Sequence, residues 1–375
     1  MIKEAIGKLV LKRDLMEEEM QQVMEEVTTG GASAEQIATF ITALRMKGET
    51  AEEITAAAKV IRKKVPMIHA GDDVVSLDRE EITMERETIQ RTAGALAEGT
   101  NIFNISTATA LVVAGGGLTV AKHVRKSLLE LCGCADVIEA LGVNLDLTPT
   151  QFERCLKEVG VCFIHGLLVQ NGLKHLLTIR EKVGIRTLFN LLDPLINPAS
   201  AKIQVIGVYE PNLTERMAMV LQNLGVRKGL VIHGEDTLDE ISITGKTKVT
   251  EFQEGATKTY FITPEDFGME RKRLEEIRGG TKRENAAIIL NILKGHQGAK
   301  RDIVVLNAAA TFMIAGKAKN FQEGVALANH SIDSGAAFRK LEELIAFTHG
   351  EQRYLRNEYQ VEMDHDNRSH FRKLE

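Results

Sequence analysis

From Met1 to about residue 64, apolar positions recur at helical spacing between polar capping residues. Asp14-Leu-Met-Glu17 has the form of a capping box and opens a predicted helix with Met20, Val23, Met24 and Val27 on one face. Gly30-Gly31 stops it. Ser33-Ala-Glu-Gln36 opens a second, with Ile37, Phe40, Ile41 and Leu44 inward, and Gly48 ends that one. Thr50-Ala-Glu-Glu53 opens a third that carries Ile54, Ala57, Ala58 and Ile61. Three capped helices with short joints predict a small bundle.

The pattern then changes. Residues 65 to about 92 read as polar and irregular, with a hinge and the approach to the first strand between Asp72 and Thr92. Helical spacing covers Ala108 to Val113 and Asp136 to Leu141, and Thr148-Pro149-Thr-Gln151 opens a further helix with proline in its first turn. Short buried strands are predicted at Leu118 to Ala121, Val159 to Ile164, Lys202 to Tyr209 and Lys228 to His233. Strands alternating with helices imply a mostly parallel sheet with helices on its faces. Thr244 to Ile262 reads as an antiparallel edge whose pieces are joined by Gly245 and Gly255. Helices over Glu284 to Leu293, Asp302 to Ala315, Phe321 to Ser334 and Asp333 to Phe347 close the chain, and no internal repeat stands out. The expected class is α/β, a small N-terminal helical bundle domain plus a larger α/β domain. The expected boundaries are 1–64 (joined by about 171–183) for the bundle and 65–347 for the α/β domain, with a charged tail at 348–375. For the tail, disorder and a partner contact both stay open.

The length of 375 residues suits two domains. With no Trp and 5% aromatics, the core rests on Leu, Ile, Val, Ala and Met, which favours helices on a parallel sheet over a β-sandwich. A formal net charge of −5 gives no general electrostatic reason to bind nucleic acid or an anionic membrane. Met1-Ile2-Lys3-Glu4 runs straight into helical spacing, so no signal peptide is expected, and a cytoplasmic location is. The longest apolar runs, such as Ala108 to Val120, are too short to span a bilayer. The cysteines are Cys132, Cys134, Cys155 and Cys162. Cys132-Gly-Cys134 lacks a second pair at ligand spacing, so a metal reading is not favoured.

Between Asn101 and Asp146 the residues carry more than fold. Phe103-Asn104-Ile105-Ser106-Thr107, Lys122-His123 and Ala135 to Asp146 resemble the anthranilate phosphoribosyltransferase family. Gly184-Ile-Arg-Thr-Leu-Phe-Asn-Leu-Leu192, Pro194-Leu-Ile-Asn-Pro198, Gly207-Val-Tyr209, Leu238-Asp-Glu-Ile241 and Thr263-Pro-Glu-Asp-Phe-Gly268 extend the resemblance to about residue 347. It implies a nucleoside phosphorylase-like fold and a homodimer formed through the helical domain, where Ile2, Ile6, Leu9, Met20, Met24, Phe40 and Met46 are candidate partner-facing positions. It also implies transfer of phosphoribosyl from phosphoribosyl pyrophosphate to anthranilate, with magnesium pyrophosphate leaving. Such chemistry needs unencumbered backbone N–H groups, hydroxyls, Lys and carboxylates around the diphosphate.

Several implied site residues are kept and others are altered. Where the family reads GTGGDG, this chain reads Gly94-Ala95-Leu96-Ala97-Glu98-Gly99, so Gly94 and Glu98 persist but Leu96 and Ala97 put Cβ atoms where the backbone should approach phosphate. Asn104, Ser106 and Thr107 resemble ribose and pyrophosphate contacts; on chemistry alone, Ser106 and Thr107 read equally well as helix caps. The family's KHGNRSVSS becomes Lys122-His123-Val124-Arg125-Lys126-Ser127-Leu128-Leu129-Glu130, read as a second loop. Lys122 and Ser127 remain as ligand contacts. Arg125 and Lys126 are either replacement phosphate donors or a solvated basic turn. Arg180 resembles the anthranilate-contacting arginine, and alternatively pairs with Glu181 or another neighbour. Gly166-Leu167 and Gln170-Asn171 replace proline-containing pairs, Asp193 replaces a glycine before Pro194, and His165 reads as structural. Asp239-Glu240 resembles the family's magnesium ligands, so Mg²⁺ is the expected cofactor if a phosphoribosyl ligand binds. The resulting expectation is a divergent phosphoribosyltransferase with weak or altered activity on a small phosphorylated ligand. The alternatives are a transferase for another small molecule and a non-catalytic or ligand-sensing paralogue.

Overall fold

A computed structural model of the chain describes residues 1–69, 71, 73–79, 102–124, 133–165, 175–176, 178–180, 182–236 and 238–350. Its first four helices are α1 (Ile2–Val10), α2 (Glu17–Thr29), α3 (Ala34–Lys47) and α4 (Ala51–Arg62). Ser33 and Thr50 cap α3 and α4 as expected, accepting from the N–H groups of Gln36 and Glu53. Asp14 does not cap α2, which starts behind Met16. Its carboxylate instead takes the Lys47 ammonium at 2.6 Å, and Lys47 also holds the fully buried Glu53 at 2.9 Å. Glu53 in turn accepts the Leu15 N–H at 2.9 Å, so a tertiary network outcompetes the local box.

The apolar positions nominated as partner-facing sort differently. Ile2, Leu9, Met20, Met24 and Phe40 are buried in the bundle itself, whereas Met46 is 81% exposed, with Val10, Leu11 and Met16 exposed beside the predicted set. The helical residues described between 175 and 183 return to this bundle. Leu176 and Ile179 join its core, and the His175 Nε2 lies 2.7 Å from the Val27 carbonyl. Arg62 at the end of α4 reaches the other way, donating from Nε to the Leu195 carbonyl at 2.6 Å. Burial pushes its pKa down to about 10.

The rest is α/β. The sheet comprises β1 (Val74–Arg79), β2 (Thr119–Val124), β3 (Val161–His165), β4 (Ile203–Gly207), β5 (Lys228–Gly234), β6 (Thr247–Gln253) and β7 (Ala256–Ile262), in spatial order β3-β2-β1-β4-β5-β6-β7. The first five run parallel, while β5-β6 and β6-β7 pair antiparallel. The antiparallel edge turns at Glu254-Gly255; Gly245 lies ahead of β6 rather than between its strands. Helices α5 (Ile105–Gly115), α6 (Cys134–Ala140), α7 (Pro149–Glu158), α8 (Leu188–Leu192) and α9 (Leu213–Asn223) connect the strands, and α10 (Lys282–Leu293), α11 (Ala299–Ile314), α12 (Phe321–Asp333) and α13 (Ala336–Thr348) close the unit. α5, all apolar or small and buried along its length, packs between the sheet and the closing helices.

Two departures from the sequence reading matter for the site. The stretch read as irregular contains β1, the middle strand of the parallel set. Its period is hidden because Ser76 and Asp78 are buried beside Val75 and Leu77, with their polar groups satisfied across the sheet. Strand β2 also runs further than Ala121. Lys122, His123 and Val124, read as the start of a loop, are strand residues in register with Phe163, Ile164 and His165. Val124, where the family has glycine, fits a β position and is 1% exposed.

Candidate active site

In an open parallel sheet, ligands bind at the carboxyl ends of the strands. That edge here gathers Asp78 from β1, Lys122 and His123 from β2, His165 from β3 and the loop that follows β5. The connections at 80–101, 125–132 and 166–174 leave from the same edge and lie outside the described residues. With them lie Gly94, Glu98, Arg125 and Ser127, as well as Leu96, Ala97, Lys126, Leu129, Glu130 and Gln170.

Beneath the edge sits a buried polar cluster. The Asp78 carboxylate accepts from the His123 N–H at 2.9 Å, from Asn197 Nδ2 at 2.9 Å and from the Ser76 hydroxyl. Asn197 Nδ2 also lies 3.1 Å from both Ser76 Oγ and the Ala121 carbonyl. Lys122 is 1% exposed and donates from Nζ to the Leu77 carbonyl at 3.0 Å. An ammonium has three donors, so one of them ties β2 to β1. These contacts fix the strand ends on which a ligand would rest, and they bind Pro194-Leu-Ile-Asn197 to the sheet. His165 closes β3 beside Val124 and is buried.

The N-terminus of α5 forms a second part. Asn104 is its N-cap but makes no side-chain cap bond; its Oδ1 accepts from Asn285 Nδ2 at 3.3 Å. Asn285 Oδ1 takes the Gly280 N–H at 2.8 Å, and Ile102 bridges to Arg278. Gly279 has to be glycine here, because a Cβ would stand 2.7 Å from the Phe103 nitrogen and 2.5 Å from Asn285 Oδ1. Ser106 and Thr107 are the second and third residues of α5, and neither caps it, so that alternative falls away. The Thr107 hydroxyl oxygen is buried with no hydrogen-bond partner among the described residues. A helix start without a side-chain cap presents N–H groups and the positive end of the dipole.

The third part is the loop between β5 and β6, which carries Asp239 and Glu240, 9% and 6% exposed. Its backbone is clamped. Asn307 in α11 accepts the Ile241 N–H at 3.0 Å and donates to the Ile241 carbonyl at 3.1 Å. The Gly234 N–H donates to the Leu238 carbonyl at 2.8 Å, and Ser242 and Thr244 both donate to Asp236. Among the described residues no three His, Cys, Asp or Glu side chains group to hold a metal. Asp239 and Glu240 offer hard oxygen donors of the kind Mg²⁺ takes, few in number, with water and phosphate completing its shell.

Arg180 belongs to a different corner. Its guanidinium faces Asp193, with Nη2–Oδ2 at 3.2 Å and Nη1–Oδ1 at 3.4 Å, on the 3₁₀ turn Asp193–Leu195. The neighbour expected for Arg180 thus exists in Asp193; Glu181 lies outside the described residues. Sequence reasoning passed over Asn197, Asn285 and Asn307 as site-building residues. The available signal was an asparagine inside an otherwise apolar stretch, as in Val304-Val-Leu-Asn307.

Known proteins sharpen this geometry. Residues 3–65 match the glycosyl transferase family's helical bundle domain, and residues 86–338 match its a/b domain. The chain is 49% identical over 348 residues to the anthranilate phosphoribosyltransferase of Citrifermentans bemidjiense, covering 93% of this chain and 99% of that one. Against the Geobacter sulfurreducens enzyme the identity is 48% with the same coverage. Among solved structures, anthranilate phosphoribosyltransferase from Thermus thermophilus superposes with a TM-score of 0.82 at 36% identity, covering 92% of this chain and 99% of that one. The Saccharomyces cerevisiae enzyme in complex with PRPP and Mg superposes with a TM-score of 0.79 at 25% identity, covering 93% and 98%. Bundle and α/β domain are thus matched in order along the chain, and the chain belongs to the anthranilate phosphoribosyltransferase family.

Proposed function

We propose that this chain transfers the phosphoribosyl group of phosphoribosyl pyrophosphate to an aromatic amine, with Mg²⁺, at a rate lowered by its altered loops. The observation that carries the reading is that the uncapped start of α5 and the Asp239-Glu240 loop each follow a parallel strand, β1 and β5, of one sheet. The acceptor nitrogen bonds to C1 of the ribose, the bond from C1 to the diphosphate oxygen breaks, and the nitrogen loses a proton. Negative charge grows on the leaving diphosphate. The first-turn N–H groups of α5 and the hydroxyls of Ser106 and Thr107 are the chain's own donors for it. Asp239 and Glu240 would hold Mg²⁺, which supplies positive charge to the diphosphate when bound. Lys122 adds a positive charge under the same edge.

The lowered rate follows from sequence. Leu96 and Ala97 stand where the family has glycines, and Leu129 and Glu130 where it has hydroxyls. A lost hydrogen bond to a charged group costs about 1.5–3 kcal/mol, so two or three losses weaken transition-state binding by several orders of magnitude. Arg125 and Lys126 offset part of this as replacement cations. Titration calorimetry with phosphoribosyl pyrophosphate, with and without Mg²⁺, tests the donor side. Heat that needs Mg²⁺ supports the reading, and no heat under either condition removes it.

The same reading includes a homodimer through the helical unit, supported by exposed Val10, Leu11, Met16 and Met46. Light scattering that gives a monomer mass at micromolar concentration would remove that part. It also takes residues 1–64 with 171–183 as one domain and 65–347 as the other, in a cytoplasmic protein. Among the described residues no helix is long and apolar enough to cross a membrane.

A further inference from the structure

The joint between α3 and α4 holds a carboxylate that the proposed chemistry leaves unused. Glu49 stands between Gly48, which ends α3, and Thr50, which caps α4. Its side chain is buried, and neither carboxyl oxygen has a hydrogen-bond partner among the described residues. The backbone around it is braced, because the Lys47 ammonium holds Asp14, Glu53 and the Gly48 carbonyl at once. Any adjustment to a charge on Glu49 therefore falls to side chains.

The joint abuts the α/β unit. Asn223 on α9 donates to Thr55 on α4 at 3.4 Å, and Leu213, Met217 and Leu221 of α9 share the bundle's core. The charges that act on Glu49 come from three helices. Burial pushes its carboxyl above the ordinary range, against the pull of Arg45 on α3 and Arg216 on α9, and Glu53 on α4 adds to the rise. The two cations are not equivalent. Arg45 crosses to the turn after β4, where it donates to Glu210 at 2.6 Å and lies 5.3 Å from the centre of the Tyr209 ring. Arg186 lies 4.1 Å from the same ring. Arg216 is half-buried and makes no hydrogen bond or ion pair among the described residues.

We propose that Glu49 is a proton-operated latch between the bundle and the α/β unit. Neutral, it lies unpaired in the joint. Ionised, it takes Arg216 as its counter-ion, because a buried carboxylate needs a partner and Arg45 is already committed to Glu210. The pair then ties the α3–α4 joint to α9, beside the Tyr209-Glu210 turn that follows the carboxyl end of β4. It forms as pH rises through the raised Glu49 value, with the proton going to solvent, and it is lost as pH falls. It offsets part of the cost of the buried charge. The latch is independent of the transferase reading, and its test uses no ligand.

The test follows the tyrosine ring signals of the full chain by NMR from about pH 4 to about pH 9. Four tyrosines are present, and Tyr209→Phe assigns the signal of Tyr209. The expected result is a Tyr209 shift whose midpoint lies above the ordinary glutamate value and which is absent in Glu49→Gln. Arg216→Gln should raise that midpoint by about one pH unit or more, and Arg216→Lys, which keeps the cation, should restore most of the difference. Circular dichroism melts check that each variant is folded and give a second arm. At about pH 9 Arg216→Gln should lower the melting temperature of the natural chain but not of Glu49→Gln, and at about pH 5 it should do neither. A Tyr209 shift that persists in Glu49→Gln, a midpoint that ignores Arg216→Gln, or an equal melting loss with and without Glu49 overturns the proposal.

Discussion

The loop after β5 and the turn at Asp193 both present carboxylates near the sheet, and they use them in opposite ways. In the loop, Asp236 and Asn307 take up structural hydrogen bonds on either side of Asp239 and Glu240. At the turn, the carboxylate is spent inside the protein, on Arg180. The contrast shows how one scaffold can brace one carboxylate-bearing segment through its backbone and another through an ion pair. The deciding feature in each case is which group supplies the partner, a backbone clamp or an opposite charge.

The contrast breaks most directly at the loop. Replacing Asp239→Asn and Glu240→Gln together should weaken Mg²⁺-dependent binding of phosphoribosyl pyrophosphate by roughly a hundredfold or more, from two charged contacts at about 1.5–3 kcal/mol each. Calorimetry measures it; an effect under threefold would mean that the pair is not the metal site. Asn307→Leu comes next. It orphans the Ile241 N–H and carbonyl, and should cost about 2–4 kcal/mol in stability and about tenfold in Mg²⁺ affinity. Denaturant melts and the same titration separate the two effects, and intact metal affinity would show that the clamp does not orient the loop.

A smaller effect is expected at the end of β2. Val124→Gly removes a buried side chain and loosens a strand, so it should destabilise the chain by about 1–3 kcal/mol without restoring ligand affinity by itself. Restored affinity with no loss of stability would make β2's extension incidental.

The smallest concerns Glu49 in the bundle. It is 1% exposed, neither carboxyl oxygen has a hydrogen-bond partner among the described residues, and burial raises its pKa despite Arg45 and Arg216 nearby. The folded state thus holds this proton more tightly than the unfolded chain. Stability falls as pH rises from the ordinary carboxylate range through the raised value. Glu49→Gln should melt a few degrees higher than the natural chain at pH 8 and converge with it near pH 4. Equal melting temperatures at both values would show that Glu49 carries no such penalty.

Much of this frame could be read from the sequence, for reasons that differ by region. The bundle was legible because Ser33 and Thr50 cap their helices locally and the apolar faces repeat at one period. The α2 start misled because Asp14 and Glu53 answer to Lys47, a contact 33 and 6 residues away in the chain that no local pattern encodes. β1 was hidden by buried Ser76 and Asp78, whose partners lie on Asn197 and His123, far along the chain. Asp239-Glu240 and Asn104 were nominated by resemblance, and the structure puts them on the loop after β5 and at the start of α5. The asparagine clamps and the Arg180–Asp193 pair were not, because each is a meeting of residues whose significance appears only once they are neighbours in space.

We propose, as the central claim, that the chain transfers the phosphoribosyl group and that its altered loops slow the transfer. Steady-state turnover with phosphoribosyl pyrophosphate, Mg²⁺ and anthranilate tests it. The natural chain is measured beside a version carrying Leu96→Gly, Ala97→Gly, Val124→Gly and Arg125→Asn. The account predicts turnover well below about 1 per second for the natural chain, and at least a tenfold rise in the altered one. Turnover of about 1 per second or more in the natural chain, or no rise in a folded altered chain, would contradict it.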